Sequence, residues 1–296
     1  MIVDAHHHIW RQADLPWLSG PEQPRIFGPY APIRRDYPIE EYLDDIHGTG
    51  IGKSVYVQTN WPPDRYVDEV AWVSETAART GWPHAIVGYA DVTGACASRT
   101  RSQLDRLAGF PLVRGIRQQF HWHSNPDWRF ADRPDLSEDS AVQANIATFA
   151  EYGWSFELQL FSGQMEGGRR LATACPDVTF VLPHAGMPED RSTAGLAAWR
   201  AGLERLAACP NVCVKLSGLG TFIHRNDPED IAEITRTTLG LFGAERCMFG
   251  SNFPIEKLWT GLAELVSAFR EAVAAVLDDA GQAQVFSETA RRVYGI

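Results

Sequence analysis

Five cysteines are few for a chain of 296 residues, and Cys96, Cys175, Cys209, Cys213 and Cys247 form no CxxC pair of the redox or zinc-ribbon kind. Their odd number and scatter point to reduced core thiols rather than a disulfide framework. Excess positive charge is also missing. With 27 Lys and Arg against 37 Asp and Glu, the net charge of −10 argues against a surface made to neutralise nucleic acid or anionic lipid. No long hydrophobic run exists: the most apolar helical stretch is interrupted by Glu264, Arg270 and Glu271. The opening Met1-Ile2-Val3-Asp4 has neither a basic stretch nor an apolar signal segment, so the expectation is a cytoplasmic protein with no membrane partner. No GxGxxG or GxxxxGK[ST] loop follows any strand-like run, which removes the usual phosphate-binding signatures.

What the sequence does have is alternation. Runs rich in β-branched or aromatic residues fall at 2–8, 54–59, 85–91, 112–118, 155–160, 178–184, 211–217 and 247–251. Segments of helical periodicity separate them at 39–46, 67–79, 101–107, 141–152, 168–175, 194–209 and 228–242, and a last one follows at 258–277. Asp64 reads as a start signal for the second helix, and Asp227 with Pro228 as N-cap and first-turn proline of the seventh. Eight strand and helix units predict an α/β fold closed into a (β/α)₈ barrel, for which about 250 residues suffice. No linker or low-complexity stretch divides the chain, so one domain over 1–296 is expected.

In such a barrel the loops after the strands form the catalytic face. The two long ones, 9–38 and 119–140, are rich in Trp, Arg, Pro and Gly, and Trp10, Trp17, Trp61, Trp122 and Trp128 all lie in post-strand segments. Together they suggest a small apolar or ring-shaped ligand.

The chemistry-bearing residues sit at strand ends. Asp4-Ala5-His6-His7-His8 closes the first strand; simple alternation puts Asp4, His6 and His8 on one face, the two imidazoles roughly 6.6 Å apart along it. His184 closes the sixth strand and would complete a three-imidazole set, open to a fourth ligand, of the kind in which zinc lowers the pKa of bound water to about 7. The eighth strand ends in Gly250-Ser251-Asn252. Arg117, whose guanidinium fork matches two carboxylate oxygens, ends the fourth strand, with Gln119, His121 and His123 on the same face if the backbone stays extended. Gln58 in the second run and Lys215 in the seventh are further candidate contacts to substrate, and Glu157 would need a buried cation such as Arg117 or Lys215.

These motifs carry a resemblance. DAHHHIW at Asp4, GIRQQ at Gly115, VLPHAG at Val181, VKLSGL at Val214, FGSNFP at Phe249 and SETARRVYGI at Ser287 make the chain similar, over almost its whole length, to the amidohydrolase-2 branch of the amidohydrolase superfamily. That resemblance implies the barrel and a hydrolase opening a lactone, or a related cyclic ester or amide, of a sugar acid or aromatic breakdown product. It leaves open nonoxidative decarboxylation, or an impaired ligand- or metal-binding barrel. It implies His6, His8 and His184 as the groups polarising the carbonyl, directly or through one divalent ion, zinc first. Asn252 stands where the family carries the aspartate that activates water, and an amide cannot accept water's proton. Asp91, Glu157, His121, His123 and Glu256 are the candidate replacement bases. Arg117 would hold a substrate carboxylate, with Gln58, His121 and Lys215 contributing. A homo-oligomer is compatible with all of this.

Overall fold

The computed structural model describes residues 1–94 and 97–296, so the expectation for Cys96 lies outside the described residues. All eight expected strands form: β1 (Ile2–His7), β2 (Ile51–Val57), β3 (Ala85–Gly88), β4 (Val113–Arg117), β5 (Ser155–Glu157), β6 (Phe180–Leu182), β7 (Val212–Leu216) and β8 (Cys247–Phe249). They pair in parallel, in the order β1 to β8. The ring shuts beyond the last strand: Asn252 N–H donates to the His6 carbonyl (2.7 Å) and His8 N–H to the Phe253 carbonyl (2.8 Å). The result is a (β/α)₈ barrel.

Apart from β2, which begins at Ile51, the strands are shorter than the apolar runs that announce them, and most runs extend into residues that have left the ladder at the mouth. Small side chains fill the barrel's interior, Val3, Ala5, Val55, Val57, Ala85, Val87, Cys213 and Met248 among them. Larger ones, such as Tyr42, Phe156, Phe180, Leu203 and Phe269, lie in the layer shared with the helices. This division follows from geometry: eight strands leave an interior just wide enough for side chains to fill.

The helices come where periodicity places them, among them Ile39–Ile46, Tyr66–Thr80, Thr193–Ala207 and Pro228–Phe242. Asp227 caps the last of these, accepting from Glu229 N and Asp230 N, with Pro228 in the first turn. Asp64 does not cap: it falls inside the 3₁₀ turn Pro63–Arg65, which adds a turn before the helix begins. Cys175, Cys209, Cys213 and Cys247 are buried and unpaired. Among the described residues no helix is long and apolar enough to cross a membrane.

Candidate active site

The mouth at the strands' C-terminal ends opens on one cavity, and the first strand enters it through an irregularity. Asp4 pairs with Ser54 and His7 with Tyr56, so β1 spends three steps where β2 spends two. That bulge breaks strict alternation. His8 therefore lines the cavity, and the His6 ring, 5.1 Å from it by centroids, lies buried behind it and is not part of the lining, while Asp4 does not share their face as simple alternation predicts. Instead Asp4 Oδ2 accepts from Tyr42 Oη (2.8 Å) and Ser251 Oγ (2.6 Å), tying β1 to a flanking helix and to the end of β8. His7 stacks on the same Tyr42, with centroids 4.0 Å apart.

His184 reaches the mouth by a sharp exit from β6, its backbone in the left-handed region at φ 57°. Its ring lies 4.7 Å from that of His6. The imidazoles are held from behind. His8 Nδ1 lies 2.7 Å from the Val57 carbonyl, which can only accept, so Nδ1 carries the proton and Nε2 is left with its lone pair. His184 Nδ1 lies 3.0 Å from Ser217 Oγ. Both ring nitrogens of His6 are buried without a partner.

Charge is distributed with the same economy. Burial, and after it the positive charge of Arg117, pulls His8, His121 and His184 down to about 3. Burial, then Lys215, holds His6 well below the ordinary value. All four imidazoles are thus neutral at pH 7; the cations on the cavity wall are Arg117, which burial lowers only to about 10, and Arg25 of the 9–38 loop.

Arg117 donates from Nη2 to the Gln58 carbonyl and leaves Nε without a partner. Gln58 braces it rather than lining the cavity; its Oε1 accepts from Asn60 N (2.6 Å). Lys215 does not reach the cavity either. It lies buried in an ion pair with Glu157 (2.7 Å), whose Oε1 also accepts from Tyr294 Oη (2.5 Å), and this settles the partner that Glu157 needed. Of the extended face expected after β4, Arg117, Gln119 and His121 line the cavity, whereas His123 packs against Trp128 and Phe161.

Trp10, Trp17 and Trp128 line the cavity as the loops suggested. Trp61 does not; it stacks on Trp72 with Arg65 over its face. Sequence reasoning missed Arg25, Phe27, Asn60, Gln159, Thr221 and Phe222, all of which line the cavity. For Arg25 and Phe27 the length of the 9–38 loop was the available signal; the others stand in short segments with no local mark.

The fit of a zinc ion can be tested on the donors. Imidazoles anchored through one nitrogen and open at the other, as His8 is, are what zinc uses. Yet among the described residues no group of three or more His, Cys, Asp or Glu is placed to hold one metal ion, and the neighbouring Asn252 is neutral. The expected cage of His6, His8 and His184 is therefore incomplete as arranged, and the chemistry below is derived from side chains alone.

Comparison with known proteins agrees with this architecture. The model of the amidohydrolase family matches residues 3–296. The chain belongs to the amidohydrolase family. The amidohydrolase is 34% identical over 275 residues to the uncharacterized protein y4mH of Sinorhizobium fredii, covering 91% of this chain and 90% of that one. It is 29% identical to an L-fucono-1,5-lactonase of Burkholderia multivorans, covering 99% and 96%. A solved amidohydrolase from Burkholderia multivorans with bound zinc superposes with a TM-score of 0.82 at 26% identity, over 100% of this chain and 99% of that one. Family and fold together make this chain a hydrolase.

Proposed function

We propose that this amidohydrolase opens a carboxylate-bearing lactone, or a related cyclic ester, in the cytoplasm. The observation that carries the reading is the convergence of neutral His8 and His184, Asn252 and the cation Arg117 on one cavity walled by aromatic rings. Such a lining suits a planar or ring-shaped substrate that carries an anionic group. The lactonase relative from Burkholderia multivorans supports the same class.

The roles follow from hydrogen-bond capacity. Ser217 Oγ lies 3.0 Å from His184 Nδ1, and we assign its hydroxyl hydrogen to that line. His184 then carries its proton on Nε2 and donates into the cavity, where it polarises a lactone carbonyl and steadies the oxyanion that forms. A neutral donor suits this role, because it stabilises developing charge without surrendering a proton. Arg117 binds the carboxylate through its free guanidinium edge. Asn252, anchored through Nδ2 to Thr221 Oγ1 (3.4 Å), orients water. Divalent-ion loading at the imidazoles is measured separately, by elemental analysis of protein purified without added metal.

The test is a panel of sugar lactones and pyrone carboxylates. The expected result is turnover of at least one, lost by about a hundredfold or more in His184→Asn, a residue that tolerates the left-handed backbone. No turnover across the panel would refute the reading.

A further inference from the structure

Asn252 leaves the site without an obvious base, and a buried carboxyl stands directly behind it. Glu256 is 1% exposed and lies in the 3₁₀ turn Glu256–Leu258 that follows β8. Its Oε1 accepts from Thr221 Oγ1 at 3.0 Å. Thr221 lines the cavity, whereas Glu256 does not. The amide of Asn252 interacts with the carboxylate as well, and donates to the same threonine oxygen. Carboxylate, hydroxyl and cavity thus form a line of three.

Two further features bear on this carboxyl. Among the described residues Glu256 Oε2 is buried with no hydrogen-bond partner, although an apolar side chain could fill the same space at lower cost. Residue 220 is glycine, and a Cβ there would stand 2.5 Å from Oε2 and 2.9 Å from the Arg225 carbonyl. That glycine makes room for the carboxyl and for the Arg225 backbone alike, and the buried, incompletely satisfied carboxyl suggests a function for it.

We propose, resting on the lactone-opening reading of this cavity, that Thr221 and Glu256 together replace the missing aspartate, the hydroxyl passing the proton of the attacking water to the carboxylate. As the water oxygen bonds to the carbonyl carbon, one of its O–H bonds breaks and that proton goes to Thr221 Oγ1. The threonine proton moves in the same step to Glu256 Oε1, and the carbonyl π pair becomes an oxyanion beside His184. On collapse the ring C–O bond breaks, and the proton returns along the same line to the leaving alkoxide. Glu256 touches no reacting atom; it acts through Thr221.

The groups around Glu256 allow this. Thr221 and the Gly220 backbone face it from the segment Leu219–Phe222, and Asn252 from the loop after β8, with His8, directly after β1, beyond the amide. Arg225 presents its carbonyl, and Lys257, on the same turn as Glu256, points away to Glu41 and Asp45. Burial raises the carboxyl to about 7 against the hydrogen bonds from Thr221 and Asn252, close to the value that serves a base at neutral pH.

The experiment compares wild type with Glu256→Gln, Thr221→Val and Thr221→Ser. Glu256→Gln and Thr221→Val are expected to lower kcat by about a hundredfold with little change in KM, and Thr221→Ser to keep activity within about tenfold of wild type. The wild-type kcat/KM should fall on the acid side with a midpoint near 7, a limb that Glu256→Gln lacks. A purely structural glutamate would be served by the isosteric glutamine. Glu256→Gln with near wild-type kcat and the same acid limb overturns the proposal, as does Thr221→Val as active as Thr221→Ser. An infrared difference titration of wild type against Glu256→Gln separates this failure from failure of the lactone reading. A carboxyl band that ionises near neutral pH and vanishes in the variant is expected; its absence overturns the relay whatever the substrate panel shows.

Discussion

Replacing Glu256 by glutamine should make the protein more stable at alkaline pH while impairing it as a catalyst. The carboxyl is buried, and burial holds it at about 7 against an ordinary value of 4.5. Below 4.5 it is protonated in both folded and unfolded chains and contributes no pH dependence. Between 4.5 and 7 the unfolded chain gives up the proton while the folded one keeps it, so raising the pH favours unfolding. Above 7 the folded state must bury a carboxylate, and the penalty levels off. At about 1.4 kcal/mol per pH unit, the gap amounts to about 3 kcal/mol. Glutamine has the same shape and no charge at any pH, so its advantage over wild type should grow by roughly 2 to 3 kcal/mol between pH 5 and pH 8.5. Asp4 and Glu69, whose carboxyls burial also raises, are common to both proteins and cancel in the difference. Urea unfolding of both proteins at the two pH values measures it. A stability difference that stays constant with pH would refute the reasoning, because the buried group would then not be titrating where its surroundings place it.

Two other substitutions test the cations. Arg117→Lys keeps the charge and loses the fork, so KM for a carboxylate-bearing substrate should rise by about tenfold or more with a smaller change in kcat, read from steady-state kinetics. Equal loss on a substrate lacking the carboxylate would place Arg117 elsewhere in the mechanism. Lys215→Met leaves Glu157 buried with only Tyr294 as donor and should cost about 3 to 5 kcal/mol in urea unfolding. Adding Glu157→Leu should recover most of that loss, since the cost comes from the stranded charge rather than from lost packing.

The barrel was legible because strands buried on both faces are written as apolar runs, and the eight runs stand apart from the helical periodicity between them. Strand ends were less legible for a physical reason. Residues such as Asp91, His184 and Ser251 are the last of their runs, but the backbone has already left the ladder there. The Asp4, His6 and His8 alternation failed at a single point, because a bulge adds a residue to β1 and no residue type announces it. Lys215 looked available for substrate from its own strand, and Glu157 read as a candidate base or as the partner of Arg117 or Lys215. The parallel register, which brings β5 and β7 to either side of β6, selects Lys215 over Arg117 as that partner. Glu256 could be named from its place beyond Asn252, but its route to the cavity runs through Thr221, on a loop after β7 that shares no local pattern with it.

The least legible property of the site is its backbone. Six non-glycine residues adopt positive φ, and four of them, Asn60, His184, Met187 and Asn252, line the cavity. For an L-residue the left-handed conformation costs about 1 to 2 kcal/mol, less for asparagine, so an even spread over the surface would be expected of mere irregularity. Concentration at the mouth has a mechanical reading: each turn lets a strand stop abruptly and aim a side chain inward. Gly218 is the counterpart across the mouth, at φ 61°, where a Cβ would overlap His184 Nδ1. Any side chain there would push the imidazole off Ser217, so the His184 ring keeps its place only because residue 218 has no Cβ. Strain at His184 and the gap at Gly218 are therefore one device. Together they hold a neutral imidazole at a fixed angle to the space where a carbonyl would sit.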